Sequence, residues 1–188
     1  MRKLAVWMQM SLDGFSATPD GTFNWPSVSH ELTDYWLQLS QQFDLMLYGR
    51  KVFEMMVSYW PTADEPPNAG EYAKAYSPIW RETPKIVFSK TLTGAQWNTT
   101  VVSDRIMETL TDLKERPGKD MAVFGGPSIV STLVQAGLVD EYRLFVHPVA
   151  LRGGFSPFGI GPDRLKLRLQ NIRQFSNGVV AVHYSRAA

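Results

Sequence analysis

The sequence predicts an α/β protein built on a mostly parallel sheet with an antiparallel edge, and three observations predict it. Short apolar runs alternate with stretches of helical period, glycines stand where two runs pass into helices, and the chain closes on two strand-like segments joined by Asn177-Gly178. Lys3 to Met10 is a short apolar run that leaves into the turn Ser11-Leu12-Asp13-Gly14, as a buried strand does. After a loop from Thr18 to Pro26, Leu32, Tyr35, Trp36, Leu39 and Phe43 recur at helical spacing. Asp44 to Tyr48 reads as a second buried strand, and Gly49-Arg50 leads it into a helix from about Lys51 to Ser58.

From Pro61 to Pro84 the chain is studded with proline and predicts a surface excursion with one short helix around Glu71 to Ala75. Lys85 to Ser89 and Thr99 to Val102 are the third and fourth strands. Asp104 is placed to cap a helix carrying Ile106, Leu110 and Leu113, which ends before Pro117-Gly118. Met121 to Phe124 is another buried strand, broken by Gly125-Gly126, with Pro127 in the first turn of a helix that runs to Gly137. Glu141 to Val149 makes a longer strand, and Leu165 to Phe175 with Val179 to Tyr184 makes the terminal hairpin. The 188 residues carry no repeat, low-complexity tract or linker, so one domain over 1–188 is expected.

Composition removes several function classes. There is no cysteine, which excludes thiolate catalysis, zinc-thiolate sites and iron–sulfur clusters. A formal charge of +1 gives no bulk field to gather nucleic acid or acidic lipid. Gln9 and Asp13 interrupt the first apolar run before a signal-peptide pattern develops, and no stretch reaches the ~20 apolar residues that span a bilayer, so a cytoplasmic protein is expected. His30, His147 and His183 lack the spacing of a metal site, so no metal is expected, and Ser128 is not in a G-x-S-x-G elbow.

The chemistry points to the two strand-to-helix junctions, Tyr48-Gly49-Arg50-Lys51 and Phe124-Gly125-Gly126-Pro127-Ser128. Glycine there lets backbone N–H groups approach an anion that the helix dipole also favours, at the carboxyl ends of the strands where α/β sheets bind ligands. A tight turn alone also calls for glycine, and neither junction matches G-x-G-x-x-G or the P-loop. Arg50, Lys51 and Lys90 add cations suited to phosphate, with the hydroxyl of Ser89 beside them.

Taken together, Ser11-Leu12-Asp13-Gly14-Phe15, Asp44 to Arg50 with Glu54, Lys85 to Lys90, Phe124-Gly125-Gly126 and Gly137 to Tyr142 resemble the dihydrofolate-reductase-like superfamily. The nearest branch is the C-terminal reductase domain of bifunctional riboflavin biosynthesis proteins and its stand-alone bacterial relatives. The resemblance covers nearly the whole chain. It implies a mixed, mainly parallel central sheet flanked by helices, NADPH as hydride donor, a small heterocyclic or ribosylamino substrate, and a homodimer. Carried over to this sequence, Gly49 and Arg50 match the turn and cation at the cofactor phosphates, with Lys51 and Val52 following. Ser89 and Lys90 match the strand end near the adenosine phosphate. Gly125 and Gly126 match a glycine pair, often joined by a cis peptide in the family, with Pro127, Ser128 and Ile129 under the pyrophosphate.

Two departures stand out: Val52, where relatives often carry threonine, and Leu151-Arg152-Gly153-Gly154, where relatives run several glycines. The resemblance implies a substrate against the first strand and the loop after it. Asp13 is the expected catalytic or substrate-facing carboxylate, Met8, Met10, Trp25 and Phe53 are pocket candidates, and Tyr59 and Trp60 an apolar lip. Core packing is the competing reading of those aromatics, and a turn-forming carboxylate that of Asp13. Dihydrofolate reduction needs an acid early in the first helix, where Glu31 and Asp34 stand, Asp34 opposite the apolar stripe and Glu31 on its flank. True dihydrofolate reduction and a non-catalytic nucleotide-binding dimer are the alternatives these residues leave open.

Overall fold

The computed structural model describes residues 1–67, 69–158 and 164–187. The chain runs β1 (Leu4–Ser11), α1 (His30–Ser40), β2 (Phe43–Gly49), α2 (Arg50–Val57), α3 (Glu71–Glu82), β3 (Lys85–Phe88) and β4 (Thr99–Val102). It continues through α4 (Ile106–Glu115), β5 (Asp120–Val123), α5 (Pro127–Gln135), β6 (Glu141–His147), β7 (Leu167–Gln174) and β8 (Val180–Arg186). One eight-stranded sheet has the order β4-β3-β2-β5-β1-β6-β8-β7. The first six positions are parallel, and β8 and β7 add the antiparallel edge.

Strand alternation divides the core between the two faces of the sheet. Leu4, Val6, Met8 and Met10 of β1 point into an aliphatic cluster with Leu110 of α4 and Ile129, Val130 and Leu133 of α5. Ala5 and Trp7 point the other way, to Leu32, Trp36 and Leu39 of α1. On that second face Met46 and Tyr48 of β2 meet Phe53 of α2 and Tyr76 and Trp80 of α3. The face of α1, α2 and α3 is therefore aromatic, and the face of α4 and α5 aliphatic.

The topology fixes where a ligand can enter. Chains leaving β1 and β2 turn to the aromatic face, whereas the chain leaving β5 turns into α5 on the aliphatic face. Because β5 lies between β2 and β1, a crevice opens at its carboxyl end. β5 stops opposite Val6, while β1 runs on to Ser11 beside β6, so residues 7–11 form one wall.

Two elements differ from the sequence-based expectation. The proline-rich excursion carries a twelve-residue helix, α3, continuing through Pro78 to Glu82. Pro78 has no N–H for the bond to the preceding turn, yet Tyr76 and Trp80 on its flanks are 5% and 0% exposed, and their burial holds the helix across the break. The Trp80 indole N–H donates to the Tyr48 hydroxyl at 3.2 Å. At the start of α4 the N-cap position is Arg105, in the left-handed region at φ +50°, with no side-chain cap bond. This extra residue displaces Asp104 from the expected capping position. Trp80→Ala is expected to cost about 3–5 kcal/mol of unfolding free energy by urea titration, as an exposed loop residue would not.

Candidate functional site

The ends of β2 and β5 are pressed together. Gly49 N–H donates to the Gly125 carbonyl at 3.3 Å, and Phe124 N–H to the Leu47 carbonyl at 2.9 Å. A methyl group on Gly126 would lie 3.1 Å from Ile129 and 3.2 Å from the Gly49 Cα, and Gly126 itself sits at φ +87°. Only glycine meets both demands without strain. The peptide joining Gly125 and Gly126 is trans, Pro66–Pro67 being the cis bond among the described residues; two positive φ angles make the turn.

This contact brings two helix starts side by side. Neither α2 nor α5 has a side-chain cap or an acid in its first turn, so the amides of Arg50, Lys51 and Val52, and of Ser128 and Ile129, begin their helices without a competing carboxylate. Pro127 occupies the first turn of α5, where no donor is missed. Register pairs Gly49 with Phe88, which sets Ser89 and Lys90 beside Arg50 and Lys51. Arg50, Lys51 and Lys90 are exposed; Arg50 donates to Glu54 at 2.9 Å, and the Ser89 hydroxyl accepts from the amides of Thr91 and Leu92. The two branches of Val52 lie 3.7 and 3.8 Å from where a Gly125 methyl would be, so Val52 covers the glycine pair with an apolar wall. Glycines, free amides and cations at one edge fit the diphosphate of a dinucleotide.

The rest of the crevice is aromatic and neutral. Phe124, half-buried, lies between Trp7 and Tyr48, with ring centroids 5.0 and 5.7 Å away in stacked arrangements. Trp25 meets Phe23 and His147 edge-on. Tyr59 is exposed, and Trp60 packs on Tyr72 and Tyr76. Phe53 is 4% exposed beneath Tyr48. Met8 and Met10 are 6% and 3% exposed and belong to the aliphatic core with Ile129. Of the expected pocket residues, Trp25, Tyr59 and Trp60 therefore lie at the surface of the aromatic face, whereas Met8, Met10 and Phe53 are packed inside.

Asp13 is occupied by the neighbouring loop. Its Oδ1 accepts from the Ser11 hydroxyl at 2.6 Å and the Leu151 amide at 3.0 Å, and Oδ2 from the Arg152 amide at 2.7 Å. The Ser11 bond leads these contacts in holding the carboxyl below its usual range. Arg152 takes φ +60°, a left-handed conformation stabilised here by Asp13. Glu31 accepts from the Ser176 amide and Arg173, both of which hold its carboxyl down, so this acid ties α1 to the terminal hairpin. Asp34 is exposed.

Two polar residues at the carboxyl ends of β1 and β6 were not anticipated, Gln9 and His147. His147 is 1% exposed, accepts from the Ser27 amide at Nδ1 and meets Gln9 Oε1 at 2.7 Å through Nε2. A period-two reading of β1 carries the signal for Gln9, because it is the polar break on the side shared with Trp7. Among the described residues no group of three His, Asp or Glu side chains could hold a metal ion, and no helix is long and apolar enough to cross a membrane.

Fold and junctions define an α/β protein whose two glycine junctions meet at a topological switch point of the sheet. The chain belongs to the RibD C-terminal domain family, whose model matches residues 2–181. It is 34% identical over 185 residues to the uncharacterized protein YyaP of Bacillus subtilis (strain 168), covering 97% of this chain and 94% of that one. A solved structure from Shewanella sp. PV-4 superposes with a TM-score of 0.75 at 20% identity, over 99% of both chains. The diaminohydroxyphosphoribosylaminopyrimidine deaminase/5-amino-6-(5-phosphoribosylamino)uracil reductase of Thermotoga maritima superposes with a TM-score of 0.67 at 17% identity, over 99% of this chain and 57% of that longer one. The fold is thus the dihydrofolate-reductase-like one, with mostly parallel strands and a C-terminal antiparallel pair.

Burial pushes the His147 ring down to about 4 from an ordinary 6.5. The native state keeps the ring neutral where the unfolded chain takes up a proton, so its stabilisation is complete above pH 6.5 and is lost as pH falls toward 4. Urea unfolding is expected to show roughly 2 kcal/mol less stability from this group at pH 5 than at pH 7. His147→Gln should flatten that slope, leaving the smaller contribution of His183, which burial also lowers.

Proposed function

We propose that this chain is an NADPH-dependent reductase that delivers hydride to a small heterocyclic or ribosylamino substrate, of the kind named in the Thermotoga maritima enzyme's description. The observation that carries the reading is the pair of uncapped, acid-free helix starts locked together by Gly49 and Gly126 beside Arg50, Lys51, Ser89 and Lys90. Amides of α2 and α5 bind the diphosphate, and the cations bind the remaining phosphate through charge-assisted hydrogen bonds. When bound, NADPH supplies the hydride and leaves as NADP⁺. The chain's own work is binding and orientation. Val52 and Gly125 form a flat wall for the cofactor, Phe124 and Trp7 line the ring side of the crevice, and Asp13 is a positioning residue that holds the Leu151-Arg152 loop against β1. Dihydrofolate reduction gains no support, because Glu31 is engaged by the hairpin and Asp34 faces solvent.

Titration with NADPH and with NADH, followed by tryptophan fluorescence, is expected to show saturable binding that strongly prefers NADPH. Binding of neither would overturn the reading. Arg50→Ala should weaken NADPH by about tenfold and NADH much less; equal losses would remove Arg50 from the 2′-phosphate.

We further propose that the reductase works in the cytoplasm as a homodimer, through the end of the aliphatic face that lies beyond the helices. Rungs Val6-Tyr142-Tyr184-Leu169 and Met8-Leu144-Val182-Ile172 run across β1, β6, β8 and β7. They carry no charge and end at Leu169 and Ile172, 50% and 60% exposed, a composition suited to a self-complementary interface. Light scattering on gel-filtered protein should give twice the chain mass, and Ile172→Asp should give the single mass.

A further inference from the structure

On the aliphatic face, α4 crosses the sheet obliquely. It begins at Ile106, just after the edge strand β4, and near its other end the Lys114 carbonyl accepts from the Arg2 amide at 2.9 Å, beside the start of β1. The helix thus leaves the amino-terminal corner of β2, β3 and β4 uncovered, and an open groove of about 380 Å³ remains there. At the ~30 Å³ that a water takes in the liquid, it has room for on the order of a dozen heavy atoms. Alternation along the strands places Leu45, Ile86, Thr100 and Val102 on its floor. The Lys85 ammonium is not part of it, because that group lies over the Trp80 ring on the opposite face.

The helical wall of the groove carries two opposite charges that are not paired with each other. Thr109, Asp112, Leu113 and Arg116 share one stripe of α4, at spacings of three and four, and all four line the groove. Opposite charges four residues apart on a helix commonly pair, as Arg50 and Glu54 do on α2 at 2.9 Å. Arg116, however, is the C-cap of α4, and its extended backbone, at φ −73° and ψ 151°, takes it off the helical path. The ion pair at the start of this helix joins Arg105 to Glu108 instead, and neither Asp112 nor Arg116 bonds to another described residue. The Thr100 and Thr109 hydroxyls are free in the same sense, whereas those of Thr99 and Thr111 donate to the carbonyls of Trp97 and Met107. An apolar floor with a free carboxylate and a free guanidinium on one wall complements a small molecule that is apolar at one end and carries both charges at the other. We propose that the groove binds a free aliphatic α-amino acid, with its ammonium at Asp112, its carboxylate at Arg116 and its side chain over Leu45, Ile86 and Val102. The hydroxyls of Thr100 and Thr109 supply further hydrogen bonds. A fatty acid or an amine would leave one of the two charges unpaired, and the termini of a peptide stand too far apart to meet both. The glycine junctions lie at the carboxyl ends of β2 and β5, so this site stands independently of the reductase reading.

Calorimetric titration of the wild-type protein with L-leucine is expected to be saturable. 4-Methylpentanoate lacks the ammonium, 3-methylbutylamine lacks the carboxylate and glycine lacks the apolar end, so each should bind at least about tenfold more weakly. Asp112→Asn and Arg116→Gln should each weaken leucine at least about tenfold. Both side chains are exposed, so the midpoint of urea unfolding should stay where it is in either variant. In carbon-13 methyl spectra, leucine should shift the signals of Ile86 and Val102 and leave that of Ile172 in place. Absence of saturable leucine binding, binding that tolerates the loss of either charge from the ligand, binding indifferent to both substitutions, or methyl shifts away from the groove would each overturn the site. A light-scattering mass that Arg116→Glu halves would also overturn it, because a second copy of the chain would then fill the groove.

Discussion

The approach of Gly49 to Gly126 is the constraint on which the rest of the site depends. Two parallel strands can end side by side without touching beyond their last hydrogen bond; here the backbones stay in contact through the next two residues on each side. The contact aligns the starts of α2 and α5, although these helices leave toward opposite faces of the sheet. A side chain at Gly126 would force them apart, because its first carbon would lie 3.1 Å from Ile129 and 3.2 Å from the Gly49 Cα. Held apart, the two amide rows would be independent helix ends, each a weaker anion site than the pair proposed to act together.

A second constraint closes the other side of the crevice. Asp13 gathers the amides of Leu151 and Arg152, and the strand-like exchange of Ala17 with Phe155 continues the same seam. Gly154 is packed so closely on the Ala17 carbonyl that a methyl group would overlap it at 2.0 Å. Backbone polar groups in these loops are thus satisfied by each other and by one carboxylate, so that residues 12–17 and 149–155 are tied together as one wall. Lys85 has a similar role at the far edge. Fully buried over the Trp80 ring, its ammonium donates to the carbonyls of Thr83 and Trp97 and joins α3, β3 and the turn before β4.

Much of this was legible in the sequence where the physics is local. Apolar runs and glycine breaks located each strand to within a few residues, and the order of elements implied the parallel sheet with its antiparallel end. The second half of α3, beyond the short helix expected around Glu71 to Ala75, was missed because Pro78 is a strong local signal against it, while the force that overrides it, burial of Tyr76 and Trp80 against β2, comes from residues distant in sequence. The meeting of the two glycine junctions was legible because Gly49 and Gly125-Gly126 each stand in a short strand-to-helix motif. The Gln9–His147 contact was not, because the two residues are 138 positions apart and meet only once β1 pairs with β6. Alternation along β1 was nevertheless available. It assigns Met8 and Met10 to the face opposite Trp7 and Gln9, so the methionines could not share a wall with Trp25.

The two ends of the crevice differ in the electrostatics they offer, and that difference constrains what can bind across them. Toward β2 and β3 lie helix dipoles and three exposed cations, which attract charge and weaken with added salt. Toward β1 and β6 lie Trp7, Phe124, Trp25 and a histidine that burial keeps neutral at physiological pH. An anionic group placed at the second end would lose hydration without meeting a cation, and a flat neutral ring at the first would leave the amides unpaired. A molecule that spans both must therefore be charged at one end and aromatic at the other. On the proposed reductase reading, this asymmetry would orient a dinucleotide with its phosphates over α2 and α5 and direct the ring it carries toward the neutral wall.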